Sequence, residues 1–250
     1  MNRFVNYLEN EGVEKASQIS QALAEEYQQH LLEEFAPNTV RHCMYAASGM
    51  LSFAVNRGYL TDNVVKKLKK VKAEKNPPRY LSHDEWEQVK DIAADTYLWP
   101  LVATAYYAGF QNGALRFLTW PEIHFDRGVI TITNKEGFSL KNRESRTVPL
   151  NEQLAEVLRP HREDSGYCFL NRDGEQFGDA ELSDDFKRLV VKPSGLPHLS
   201  LHTLRHTFAS HLVMQGVSIY KVSKWMGHKS VNTTMVYAHL APQDDEINKL

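Results

Sequence analysis

His202 and Arg205 stand three positions apart, and the pair Gly227-His228 follows, with Tyr237 nine residues further on. Guanidinium and imidazolium groups are hydrogen-bond donors that can be aimed at an anion. A tyrosine hydroxyl, with an ordinary pKa of about 10, is a nucleophile only once a base takes its proton. A phosphodiester would suit such a set, because it is an anion that resists attack and its transition state gathers charge on the nonbridging oxygens. Taken singly, each residue has a plainer reading. Tyr237 alone is a half-buried aromatic. His202 and His206 have the four-residue spacing of a helical zinc pair, but no Glu follows His202 and no third ligand is evident, so no metal is expected. His206, His211 and His239 read as packing or hydrogen-bonding histidines, with His239 close to Tyr237 in the chain.

In combination these residues are more specific. The segment LSLHTLRHTFASHLVMQGVSIYKVSKWMGHKSVNTTMVYAHL, residues 199–240, resembles the C-terminal half of the active site of the tyrosine site-specific recombinases of the phage-integrase type, in order, spacing and flanking sequence. Further back, SLKNRESRTVPLN resembles the hairpin that presents that family's active-site lysine. On that match the lysine is Lys141, with Lys135 a nearby rival because hairpin length varies. AYYAGFQNGALRFLTWPEIHFDRGVITI resembles the first active-site segment, and the N-terminal third resembles the family's core-binding domain.

The resemblance implies a site-specific DNA recombinase or integrase that cleaves and rejoins DNA through a 3'-phosphotyrosyl intermediate at Tyr237. Lys141, His202, Arg205 and His228 would be its other catalytic residues, with His202 the candidate base for the tyrosine and Lys141 the acid for the departing 5'-oxygen. The covalent intermediate retains the bond energy, so neither ATP, a metal nor any other cofactor is expected. The implied partner is a double-stranded recombination site, on two copies of which the chain would assemble as a homotetramer, being monomeric by itself. The terminal APQDDEINKL, with Ile247 and Leu250, resembles the tail that packs on a neighbouring subunit.

At one point the chain departs from the pattern. The family reads Gly-Leu-Arg with a Glu three residues after the Arg; this chain has Gly109-Phe110-Gln111 and Ala114. A glutamine carries no charge and cannot make a guanidinium's planar two-point contact. Losing such a donor costs roughly 3 to 4 kcal/mol, about a hundredfold to a thousandfold in rate. Arg116, five positions on, would be rotated by about 140° on a continuous helix, which argues against simple replacement. Two readings follow: an active recombinase that compensates for the loss, or a catalytically impaired relative that binds recombination-site DNA as an architectural or regulatory protein.

The elements that must position these residues follow from patterning. Pro37 opens a helix carrying Val40, Met44, Ala47, Leu51 and Ala54, which Gly58 closes. Ile19, Leu23, Tyr27 and Leu31 mark a helix before it, and Val64, Val65 and Leu68 a short Lys-rich one after it. The charged, proline-bearing KAEKNPPRY ends this helical unit. Ser82 and Glu85 have capping-box spacing at the start of the next helix. Val129–Thr133 alternates as a strand, Arg146–Leu150 forms a second extended run, and helical periodicity resumes near Ala180 and continues to the end. The expected fold is mainly α with a small antiparallel sheet: a helical, SAM-like core-binding domain over 1–74, a linker over 75–80, and an α+β catalytic domain over 81–250.

The 250 residues carry a net charge of -2 and 42% apolar residues, with a pI near 6.6 and a mean hydropathy of -0.47. No apolar run approaches the roughly 20 residues of a membrane helix, and the N-terminus lacks signal-peptide order, so a cytoplasmic protein is expected. Near-neutral charge argues mildly against nucleic acid, but Lys66, Lys67, Lys69 and Lys70 form a local basic strip. These lysines, with Thr39, Arg41 and His42 at the head of their helix, are the candidate DNA contacts; a solvated face is the plain alternative. Cys43 and Cys168 have no pairing pattern and read as buried free thiols.

Overall fold

The computed structural model describes residues 3–72, 77–140 and 144–242. The chain forms two compact units, Met1–Asn76 and Pro77–Leu250. In the first, α1 (Arg3–Asn10), α2 (Gln21–Glu34) and α3 (Pro37–Asn56) enclose a core of Phe4, Tyr27, Leu31, Val40, Ala47 and Leu51. Each large apolar side chain so buried contributes about 1.5–3 kcal/mol. α1 is an addition to the sequence reading. α2 starts two residues after Ile19, because the Ser20 hydroxyl accepts from Leu23 N at 3.1 Å and caps it there. The Lys-rich segment is a 3-10 turn, Val64–Lys67, rather than a helix. Buried Asn63 ties it to α3 by donating to Ser48 O and Ser52 Oγ, both at 2.8 Å, which leaves the lysines outside.

The second unit begins with α4 (His83–Ala94), where Ser82 and Glu85 close the capping box. α5 (Trp99–Tyr107) and α6 (Asn112–Phe117) follow. The strands β1 (Ile123–His124), β2 (Val129–Ile132) and β3 (Arg146–Pro149) make one antiparallel sheet in that order, with Ile130 opposite Val148 and Ile132 opposite Arg146. α7 (Glu152–Leu158) comes next; α8 (Asp179–Phe186) runs through a π turn into α9 (Lys192–Ser194). α10 (Leu201–Met214) lies at the centre, and α11 (Ile219–Met226) ends on Gly227. The chain after α11 is not the regular helix its periodicity suggested: it makes two 3-10 turns, Val231–Thr233 and Met235–Leu240. Cys43 and Cys168 are free but only partly buried, which corrects the expectation that both are interior. Among the described residues no helix is long and apolar enough to cross a membrane.

Candidate active site

α10 is buried on nearly every side and packs against α5, so the few polar side chains it carries are fixed in orientation. Its start is set by Ser200, whose hydroxyl accepts from Thr203 N at 3.1 Å. His202, Arg205 and His206 fall at i, i+3 and i+4 and share one helical face. That face lines a cavity of about 1080 Å³ closed by α11, β3 and the Tyr237 turn. Four of the five residues expected to be catalytic are described, and all four line it: His202, Arg205, His228 and Tyr237.

Arg205 is 2% exposed, and its guanidinium is held by neutral acceptors. It donates to Gly109 O, to Met226 O at 2.7 Å, and to His228 Nε2 at 3.2 Å. Gly109 has φ 63° and sits against the Phe208 ring, leaving no space for a Cβ, so only glycine turns its carbonyl to this place. Arginine can only donate, so His228 Nε2 accepts, and Nδ1 carries the proton given to Thr234 Oγ1 at 2.8 Å. Burial lowers the Arg205 pKa to about 9, with a further lowering from the neighbouring Arg146 charge and an opposing rise from Tyr237. It remains a cation at neutral pH, and its charge is an energetic burden on the fold.

Tyr237 is 2% exposed, and its ring packs on Phe208, Val222 and Met226. Its hydroxyl is hydrogen-bonded to His206 Nδ1 at 2.5 Å. The histidine on the tyrosine is thus His206, not His202; the His202 ring stands edge-on to that of His206, 4.6 Å between centroids. Burial, with smaller contributions from His202, Arg205 and His228, pushes the His206 pKa down to about 4, which leaves the ring neutral and able to take a proton. Burial raises the Tyr237 hydroxyl to about 12, partly offset by Arg205. The sequence held a signal for His206, since it is adjacent to Arg205 and one helical turn from His202. His211 is a packing histidine, donating to Leu81 O and meeting the Tyr106 hydroxyl, both at 2.9 Å. His239 is exposed and does not line the cavity.

Lys141 lies outside the described residues, although Leu140 and Glu144 line the cavity. Its rival Lys135 is committed elsewhere: it is ion-paired with Glu122 and donates to Phe117 O at 2.5 Å and Thr119 Oγ1 at 3.3 Å. Gln111 lines the cavity as the residue preceding α6, with φ -80° and ψ 160°, and its side chain does not cap that helix. Arg116 turns away to Phe177 O at 2.8 Å and Asp179 at 3.0 Å. The charge beside Arg205 comes instead from Arg146 on β3, which the sequence reading did not assign. In the other unit Arg41, His42, Lys66, Lys69 and Lys70 are exposed, Thr39 is half-buried, and Lys67 is paired with Asp62.

The mainly helical fold with its small antiparallel sheet, gathering tyrosine, histidine and arginine in one cavity, is that of a known family. The model of the phage integrase family matches residues 79–244, and the chain belongs to that family. It is 25% identical over 214 residues to the tyrosine recombinase XerC of Xanthomonas campestris pv. campestris (strain B100), a match covering 82% of this chain and 65% of that protein. The chain therefore spans just under two thirds of that relative's length. Among solved structures, the Tn1549 transposon integrase in complex with transposon right end DNA superposes with a TM-score of 0.79 at 16% identity, covering 99% of this chain and 90% of that one. A lambda integrase dimer bound to a COC' core site gives 0.70 at 20% identity, covering 86% and 81%.

Proposed function

We propose that this chain is a tyrosine-type site-specific DNA recombinase, with Tyr237 as its nucleophile. The observation that carries this is the Tyr237 hydroxyl hydrogen-bonded to a neutral His206, in the same cavity as a buried Arg205 that has no carboxylate partner among the described residues. In the reaction the tyrosine oxygen forms a bond to phosphorus as the bond to the 5'-oxygen breaks. The hydroxyl proton passes to His206, and the departing oxygen takes one from Lys141. Arg205, with His202, stabilises the charge that builds on the nonbridging oxygens, and His228 holds the Arg205 guanidinium in place by accepting from it. A returning 5'-hydroxyl reverses these steps on another strand. Such a sequence needs no cofactor.

The partner is a double-stranded recombination site, with the helical unit, residues 1–74, as a second DNA-binding surface through Arg41, His42 and the lysines of its turn. Tetrameric assembly on two sites is part of the proposal; a related lambda integrase tetramer is known bound to a Holliday junction. The tail residues Ile247 and Leu250 suggested for subunit packing lie outside the described residues.

The test is covalent capture. The chain is incubated with nicked duplexes of randomised sequence, and DNA that stays attached under denaturing conditions is recovered and sequenced. Adducts sharing one sequence, absent with Tyr237→Phe although that variant still binds the same DNA, are the expected result. Specific binding without any adduct would identify a binding protein that does not cut.

A further inference from the structure

The loss of charge at Gln111 raises the question of what holds the phosphate beside Arg205. We infer that Arg146 is the second guanidinium of this site and binds the scissile phosphate together with Arg205. The inference rests on the recombinase reading and extends it to a residue to which the sequence resemblance assigns no role.

Three observations carry it. The first is direction. Side chains alternate along β3, so Arg146 shares a face with Val148, which is 1% exposed, while Thr147 and Pro149 face solvent. Thr147 and Pro149 line the same cavity from the exposed face, but Arg146 is the β3 residue that lines it half-buried, a charged side chain on the inner face beside Val148.

The second is convergence. Arg146 Nη1 and Arg205 Nη2 both donate to the carbonyl of Met226, the last residue of α11, so two cations meet at one oxygen. Gly227 is what allows this: its φ of 70° ends the helix, and a Cβ there would come within 2.5 Å of Arg146 Nη1.

The third is incompleteness. Arg146 Nε is buried and has no hydrogen-bond partner, and the guanidinium lies over the Phe110 ring, 5.4 Å from its centroid. Among the described residues neither Arg146 nor Arg205 forms an ion pair. An arginine retained only for packing would be matched with a carboxylate or replaced by an apolar chain, since an uncompensated buried charge is costly. Two such charges facing each other are worse, and burial lowers the Arg146 pKa to about 10 as well. An anion between them relieves both desolvation and repulsion, and a phosphate offers oxygens for paired contacts with two planar donors. Phe110 of the Gly-Phe-Gln sequence thereby takes on a role, as the surface on which the replacement guanidinium rests.

The test measures Tyr237-dependent adduct formation on the captured sequence, carrying either an ordinary phosphate or an uncharged methylphosphonate at the scissile position. Arg146→Gln should slow adduct formation on the phosphate about a hundredfold to a thousandfold. Arg146→Lys should fall between, because it keeps the charge and loses the fork. On the methylphosphonate, which lacks the charge to be held, the Arg146→Gln defect should shrink at least tenfold. The ratio of the two rates for one variant does not depend on how much of it is folded. An unchanged rate for Arg146→Gln on phosphate, or an equal loss on both substrates, overturns the inference while leaving the recombinase reading intact. If the wild-type chain forms no adduct on any sequence, that reading fails, and the assignment of Arg146 fails with it.

Discussion

Tyr237 and His206 form a pair whose properties are set by burial more than by charge. With its pKa held near 4, His206 stays neutral across the whole neutral range, leaving Nδ1 open to the Tyr237 proton. We therefore expect adduct formation to stay level as pH falls through 6.5, and His206→Gln to slow it about a hundredfold or more by removing the acceptor. A decline centred at about 6.5, the ordinary histidine value, would point to a different base. Stability, by contrast, should respond over this acidic range. The unfolded chain takes up the His206 proton below about 6.5 and the folded chain only below about 4, so stability falls as pH drops between them. At about 1.4 kcal/mol per pH unit the loss is at most about 3 kcal/mol, and less to the extent that water screens the partly buried ring. Denaturant titrations at pH 7 and pH 4.5 should show it, and His206→Gln should flatten the difference. Arg146 alters what to expect at Gln111. With Arg146 in place, Gln111→Arg should change the adduct rate less than tenfold. In an Arg146→Gln background the same substitution should raise it more, a coupling that a double-mutant cycle measures.

At the scale of elements, Gly227 joins stability to geometry. Gly227→Ala places a Cβ at φ 70° and against Arg146. The left-handed backbone should cost about 1–2 kcal/mol, and the displaced guanidinium should lower adduct formation by more than the loss of folded protein explains. A thermal midpoint and a rate from the same preparation separate the two. How much of this was legible beforehand depends on the range of the interaction. The caps and periodicities were local and readable: Pro37 and Gly58 bound α3, and Ser82 and Glu85 start α4, as expected. The 3-10 turns after α11 were not, because a short turn and a helix share the same spacing over a few residues. Within the site, Arg205, His228 and Tyr237 were readable as a pattern and do converge. His206 was passed over although it lies on the helical face of His202. Arg146 was visible only as the polar start of an alternating run. Its meeting with Met226 spans 80 positions of chain, and no local rule predicts a contact of that kind.

On the whole-molecule scale, net charge is a poor guide to partners. The chain is slightly acidic at -2, yet among the described residues its cavity is lined by Arg146, Arg205, Lys224 and Lys229 with Glu144 the one carboxylate side chain, and the other unit exposes its own lysines. A local excess of base in the cavity is thus compatible with a sum near zero. The lysines of the helical unit are not equivalent. Lys67 is already paired with Asp62, an exposed contact that lowers the Asp62 pKa, whereas Lys66, Lys69 and Lys70 form no ion pair among the described residues. If that unit rests on DNA, each free lysine that neutralises a phosphate contributes about 0.9 to the slope of log affinity against log salt. Changing Lys66, Lys69 and Lys70 to Gln together should reduce the slope by up to about 2.7, weakening binding by similar factors on all sequences. Lys67→Gln alone should reduce it by less than any of the three, because it releases Asp62 rather than a free cation. An equal effect at Lys67 would mean that the Asp62 pair opens on binding. No effect at any of the four would assign DNA affinity to the catalytic unit alone, and the basic strip would then be a solvated surface.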